Sequence, residues 1–174
     1  IASFAQAARI PSHRRFHDPS HHEPFAFNAA SEDQIAWWER KYPTERRASA
    51  VIPALWITQK QNAGWLSEPA LRAVADRLGM TYIRVYEIAT FYTRFNLEPV
   101  GKYHFQVCGT TPCMLQGSDE VFRACKAKGL AKGQTSADGL FTLNEVECLG
   151  ACANAPMVQI NDDNYEDLTF ETTT

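Results

Sequence analysis

Four of the five cysteines fall in two close pairs, and they are the side chains with most chemistry to offer. Cys108-Gly109-Thr110-Thr111-Pro112-Cys113 is a C-x4-C pair, and Cys148-Leu149-Gly150-Ala151-Cys152 is a C-x3-C pair. Thirty-four residues separate them. Thiolates are soft ligands, and four of them converging select zinc, copper(I) or an iron–sulfur cluster. Zinc sites usually leave roughly two to four residues between paired ligands, often with histidine completing the set. A [2Fe–2S] unit is wider, each iron takes two thiolates, and a four-residue gap suits a loop wrapped around one iron. Gly109, Gly150 and Ala151 are small enough to let backbone N–H groups approach negatively charged sulfides. The spacing favours [2Fe–2S]; structural zinc, and disulfides or free thiols, are the alternatives.

The elements that must position these pairs come next. Each pair sits where a strand-like run gives way to a loop, with Val107 ending the first run and Val146 the second. Residues 102–108 alternate as a strand, with Tyr103, Phe105 and Val107 on one side. Residues 114–130 read as a helix that aligns Val121, Phe122 and Cys125, which makes Cys125 a small buried hydrophobe and not a ligand. A second strand is expected over 140–148. A hairpin follows from 156–161 and 165–169 around Asp162-Asp163-Asn164. Thr169 could open a closing helix.

Residues 31–98 carry helical periodicity instead. Ser31-Glu32-Asp33-Gln34 reads as a capping box, followed by Ile35, Trp38 and Tyr42, with Pro43 as the stop. Residues 47–61 place Val51, Ile52, Leu55 and Trp56 on one face, with Pro53 kinking or restarting the helix. Ser67 caps a third helix that buries Leu71, Val74, Ala75 and Leu78 and stops at Gly79. A fourth, over 81–96, holds Tyr86, Phe91, Tyr92 and Phe95, expected mostly in the core. The fold class is therefore α+β: an extended arm over 1–30, a helical bundle over 31–98, and a thioredoxin-like α/β layer over 99–174.

Bulk properties narrow the function. A chain of 174 residues with 45% apolar and 21% charged side chains can build a real core. A formal net charge of -3 lacks the basic footprint of general nucleic-acid binding. No apolar run is long enough to span a bilayer, so direct membrane insertion is not expected. An odd cysteine count points to a reducing compartment. The chain opens at Ile1, with Arg9, Arg14 and Arg15 and no acid before Asp18. That pattern fits the end of a mitochondrial transit peptide, or a plain basic arm. His13, His17, His21 and His22 share four-residue spacing in part, but Pro11 and Pro19 deny them a common helical face.

The two cysteine motifs, with Glu145-Val146-Glu147 ahead of the second and Ala153-Asn154-Ala155-Pro156-Met157-Val158-Gln159-Ile160-Asn161 behind it, resemble the NADH dehydrogenase flavoprotein 2 family. This is the small [2Fe–2S] subunit of the peripheral arm of respiratory complex I. The likeness reaches back through Arg84-Val85-Tyr86-Glu87-Ile88-Ala89-Thr90-Phe91-Tyr92-Thr93 and forward to Tyr165-Glu166-Asp167-Leu168. The resemblance implies that Cys108, Cys113, Cys148 and Cys152 hold one [2Fe–2S] cluster in a thioredoxin-like ferredoxin domain. It implies a larger flavoprotein partner carrying FMN and the NADH site, other peripheral-arm subunits beyond it, and a place on the matrix side of the mitochondrial inner membrane or the cytoplasmic face of a bacterial one. The cluster would exchange one electron with the FMN, as a side reservoir of the chain of centres.

The residues agree with that division of labour. No G-x-G occurs, so no dinucleotide fingerprint is visible, and neither an NADH nor a quinone site is expected on this chain alone. Glu145 and Glu147 before Cys148, and Asp119 and Glu120 after the first pair, add negative charge that opposes taking up an electron, unless they are simply solvated acids. The nearest alternative is the same module in an NAD-linked hydrogenase or formate dehydrogenase. One of another class is a zinc-stabilised interaction module.

Overall fold

The structure, a computed structural model, describes residues 23–174. The basic arm and His13, His17, His21 and His22 lie outside the described residues. The chain divides into two units, Ile1–Glu98 and Pro99–Thr174.

The first unit is helical. Helix α1 spans Ala29–Glu39, and its cap is Asn28, whose Oδ1 accepts from Ser31 N–H at 2.8 Å. Ser31, the expected cap, is instead buried in the first turn. Ala29 and Ala30 are strong helix formers, so the helix extends back to the preceding side chain able to cap it. A 3-10 helix, Thr44–Ala50, leads into α2, Val51–Gln61. Pro53 falls in the first turn of α2, where an N–H would lack an intrahelical partner anyway, so it fits without interrupting the helix. The buried stripe of α2 is Val51, Ala54, Leu55, Ile57 and Thr58. Trp56 lies off that stripe and is exposed, with Lys60 and Arg94 over its ring at 4.6 and 4.9 Å.

Helix α3, Glu68–Leu78, follows the sequence reading closely. Ser67 Oγ accepts from Ala70 N–H, Leu71, Val74, Ala75 and Leu78 are buried, and Gly79 ends it at φ +65°. Arg77 on α3 bridges two acids of α1, Glu32 at 2.8 Å and Glu39 at 2.9 Å. Helix α4 is shorter than expected, Tyr82–Phe91. The chain turns at Tyr92 because other partners take over its polar groups. Gln59 accepts from Asn96 N–H and donates to Arg94 O, while Asn96 Nδ2 donates to Gly64 O. The aromatic set therefore divides: Phe95 is fully buried, whereas Phe91 is 75% exposed and Tyr92 is also exposed.

The second unit is a mixed five-stranded sheet in the order β2-β3-β1-β4-β5. Its strands are β1 Tyr103–Cys108, β2 Gln134–Thr135, β3 Phe141–Val146, β4 Val158–Ile160 and β5 Asp163–Tyr165. Strand β1 is central, parallel to β3 and antiparallel to β4. The expected single helix over 114–130 is two helices, α5 Thr111–Leu115 and α6 Ser118–Ala127. Gly117 separates them at φ +98°, a conformation a helix interior excludes. Cys125 on α6 is buried with Val107, Val121, Leu143 and Val158, as expected of a core residue. The hairpin is tighter than the expected one, with Asn161 at φ +55° in its turn. A last helical turn, α7 Phe170–Thr173, opens at Thr169 with a capping box.

Because β1 is central, both of its faces are covered. Val107 is buried on one and His104 on the other, while Tyr103 at the strand's start is exposed. Asn144 Nδ2 donates to His104 Nε2 at 2.9 Å, leaving the ring proton on Nδ1. Asn161 ties the hairpin turn to the same residue: its Oδ1 accepts from His104 N–H, and its own N–H donates to His104 O. At the entry to β1, Gly101 N–H donates to Thr142 Oγ1 at 2.7 Å, and its Cα lies against the backbone of Leu140 and Phe141.

This packing sets two expectations for stability. A Cβ on Gly101 would sit 2.8 Å from Leu140 C and O and Phe141 N, all backbone atoms that cannot swing aside. Gly101→Ala should therefore cost about 1–3 kcal/mol, read as a lower urea midpoint. Burial pushes the His104 pKa from 6.5 down to about 4. The unfolded chain thus binds a proton that the folded chain refuses. The contribution of His104 is complete above its unfolded pKa and is lost as pH falls toward the folded one, to a limit of about 3 kcal/mol. The urea midpoint of the wild type should fall more steeply between neutral and acid pH than that of His104→Gln; parallel curves would contradict this.

Candidate metal centre

Parallel pairing of β1 with β3 is what brings the two cysteine loops to one place. Parallel strands end at the same edge of a sheet, and the register sets Cys108 opposite Val146. The first loop therefore leaves β1 beside the point where the second leaves β3. Gly109 N–H donates to Val146 O at 3.0 Å and extends that pairing by one residue. This corrects one expectation: the Gly109 N–H is used by the strand ladder and is not directed at sulfur.

Other backbone donors take that role. Thr110 and Leu149 N–H groups both donate to the Cys108 sulfur, as does the Thr110 hydroxyl, and Met157 N–H donates to Cys113. The Cys108 thiol also lies 3.6 Å from Glu147 O. Leu149 and Glu147 belong to the second loop, so these contacts stitch the two loops together at sulfur. Cys113 sits in α5 and is 1% exposed, while Cys108 is 2% exposed. Both pack on Met157, with Leu149, Ala151 and Ala155 partly buried around them. Cys148 and Cys152 are exposed.

The electrostatics of the buried pair are opposed. Burial raises the pKa of Cys108, the largest single effect. The donors from Thr110, Cys113 and Leu149 together outweigh it, so Cys108 ionises more readily than an ordinary thiol. Cys113 is pushed up to about 11, first by burial and then by its hydrogen bond to Cys108, with Cys108 and Cys152 adding like charge nearby. Cys108, Cys113 and Cys152 are thus within electrical reach of one another, and Cys148 stands in the loop that carries Leu149. All five cysteines are free thiols. Among the described residues, no three His, Cys, Asp or Glu side chains are drawn together as a site for a single metal ion.

Two contacts escape a reading of the sequence. Met157 covers both buried sulfurs and supplies an N–H to one of them. Its place directly after Ala155-Pro156, at the entry to β4, is the available signal. Glu145 is an acid near Cys148 in the sequence, but its carboxylate lies against Gly109 of the first loop, with Lys132 Nζ on Oε2 at 2.8 Å. That contact depends on the β1–β3 register and leaves no trace in local spacing.

Known proteins are similar to this chain. The family model for thioredoxin-like [2Fe-2S] ferredoxins matches residues 35–174. A subunit of the NADH-quinone oxidoreductase of Rickettsia conorii is 59% identical over 131 residues, which are 75% of this chain and 78% of that protein. The mitochondrial NADH dehydrogenase [ubiquinone] flavoprotein 2 of Dictyostelium discoideum is 44% identical over 173 residues, 99% of this chain and 70% of that one. Among solved structures, an NAD+-reducing [NiFe]-hydrogenase in its H2-reduced state aligns at a TM-score of 0.59 and 21% identity. That alignment covers 70% of this chain but 21% of the hydrogenase chain, and it is a likeness of fold. The chain belongs to the thioredoxin-like [2Fe-2S] ferredoxin family, and its relatives there include a subunit of bacterial NADH-quinone oxidoreductase and the mitochondrial flavoprotein 2.

Proposed function

We propose that this chain is the electron-transfer subunit of an NADH:ubiquinone oxidoreductase, holding one [2Fe–2S] cluster on Cys108, Cys113, Cys148 and Cys152. The observation that carries the reading is the meeting of the two cysteine loops at the β1–β3 edge, where Gly109 N–H donates to Val146 O and the Cys108 thiol lies 3.6 Å from Glu147 O, in a chain of this family. The donor chemistry fits the group: four free thiols from two loops, an apolar floor at Met157, and amides that stabilise negative charge on sulfur. When bound, the cluster supplies a centre that takes up and returns one electron.

The protein's own residues prepare that site unequally. Cys108 gives up its proton more readily than an ordinary thiol. Cys113 must surrender a proton to ligate, which couples loading of the site to pH. Cys148 and Cys152, on the exposed side, leave the second loop open to solvent or to a partner. The partner in this reading is a larger flavoprotein carrying FMN and the NADH site, within the peripheral arm. In a mitochondrion the complex would lie on the matrix side of the inner membrane, and in a bacterium on the cytoplasmic face. No helix among the described residues is long and apolar enough to cross a membrane, so attachment would run through partners. Identities of 59% and 44% to proteins named for quinone or ubiquinone reduction favour this setting over a hydrogenase, where the likeness is one of fold.

The test is a set of single substitutions in protein purified without air. Cys113→Ser and Cys152→Ser should lose most of the iron and sulfide or distort the visible and EPR spectra. Cys125→Ala, in the α6 core, should keep the [2Fe–2S] ratio and the wild-type spectra. Equal loss in Cys125→Ala would overturn the ligand assignment.

A further inference from the structure

An acid that lies against the first cysteine loop does not stand alone. Glu145 lies on β3 opposite Val107, and its side chain runs forward onto the bare Cα of Gly109, the residue after Cys108. A Cβ at Gly109 would come within 3.1 Å of Glu145 Cδ and 3.2 Å of Cγ, and closer still to Oε1. Glycine at 109 therefore leaves room for the carboxylate against the ligand loop. Its other oxygen accepts from Lys132 Nζ at 2.8 Å. Lys132 is fixed from a second direction, with Nζ 3.6 Å from the centroid of the Phe122 ring. Its backbone bridges to Leu143, and the following Gly133 N–H donates to Leu143 O at 2.7 Å.

Both side chains of the pair are about half exposed, and an exposed ion pair contributes little to stability. Its position has another consequence. A carboxylate beside an iron–sulfur centre opposes the arrival of an electron, and an ammonium on that carboxylate offsets the effect. We propose that Glu145 and Lys132 act as a coupled pair that sets the reduction potential of the centre held by the Cys108 loop, with Lys132 acting through Glu145 as a positioning residue. This rests on the [2Fe–2S] reading above.

The test is an EPR-monitored redox titration of the full chain carrying its cluster, at low salt. Lys132→Gln leaves the acid uncompensated and should disfavour the reduced form by roughly threefold to tenfold, a midpoint ~30–60 mV lower. Glu145→Gln should move it upward by a similar amount, and the double variant should return close to wild type. Lys132→Arg keeps the charge and should titrate with wild type, which a purely structural role would not predict. Raising the salt should shrink all the differences. Unchanged midpoints in both single Gln variants, with iron, sulfide and g values intact, would overturn the inference, as would a double variant that fails to return. A wild-type chain that binds zinc and no iron would overturn the [2Fe–2S] reading itself, and this inference with it.

Discussion

The structure of the C-terminal unit depends on one pairing, β1 parallel to β3. A parallel pair delivers the C-terminal ends of both strands to the same sheet edge, and residues 109–140 make the crossover between them. Helices α5 and α6 and the short β2 lie within it. Val107 and Leu143 anchor the two strands in one core with Val121 and Cys125 of α6. On the other face, His104 and Asn144 tie the same two strands through a side-chain hydrogen bond, and Asn161 fastens the β4–β5 turn to β1. The sulfur-bearing loops are irregular, but each is rooted in a strand whose register is set on both faces.

At the loops the balance is between burial and hydrogen bonding. Two thiols pressed against Met157 lose solvation, which disfavours their charged forms. Amides of Thr110, Leu149 and Met157 replace part of that solvation, and do so most fully at Cys108. The two outer thiols keep their access to water. The arrangement places two of the thiols in the protein and two at the surface.

Much of this is legible in the sequence, and the exceptions have physical causes. The caps and buried stripe of α3 are readable because Ser67, Pro69 and Gly79 are local signals with local consequences. Cys125 is separable from the other cysteines because its neighbours repeat with a helical period. The end of α4 is not readable, since the chain turns at Tyr92 through bonds from Gln59, far away in sequence. The division of 114–130 at Gly117 is marked by a glycine, but its left-handed conformation is a property of the folded loop. The cysteine motifs announce the family. The Gly109–Glu145–Lys132 contact joins residues on three segments and emerges only with the strand register.

Everything proposed for this chain turns on whether the two loops at the β1–β3 edge hold a [2Fe–2S] cluster. The most direct measurement is an EPR spectrum of the dithionite-reduced, anaerobically purified chain, taken alongside metal analysis. The predicted result is a rhombic signal with an average g below the free-electron value, and iron with matching sulfide. Stoichiometric zinc with no such signal would contradict it, and would leave a zinc-stabilised module in place of an electron carrier.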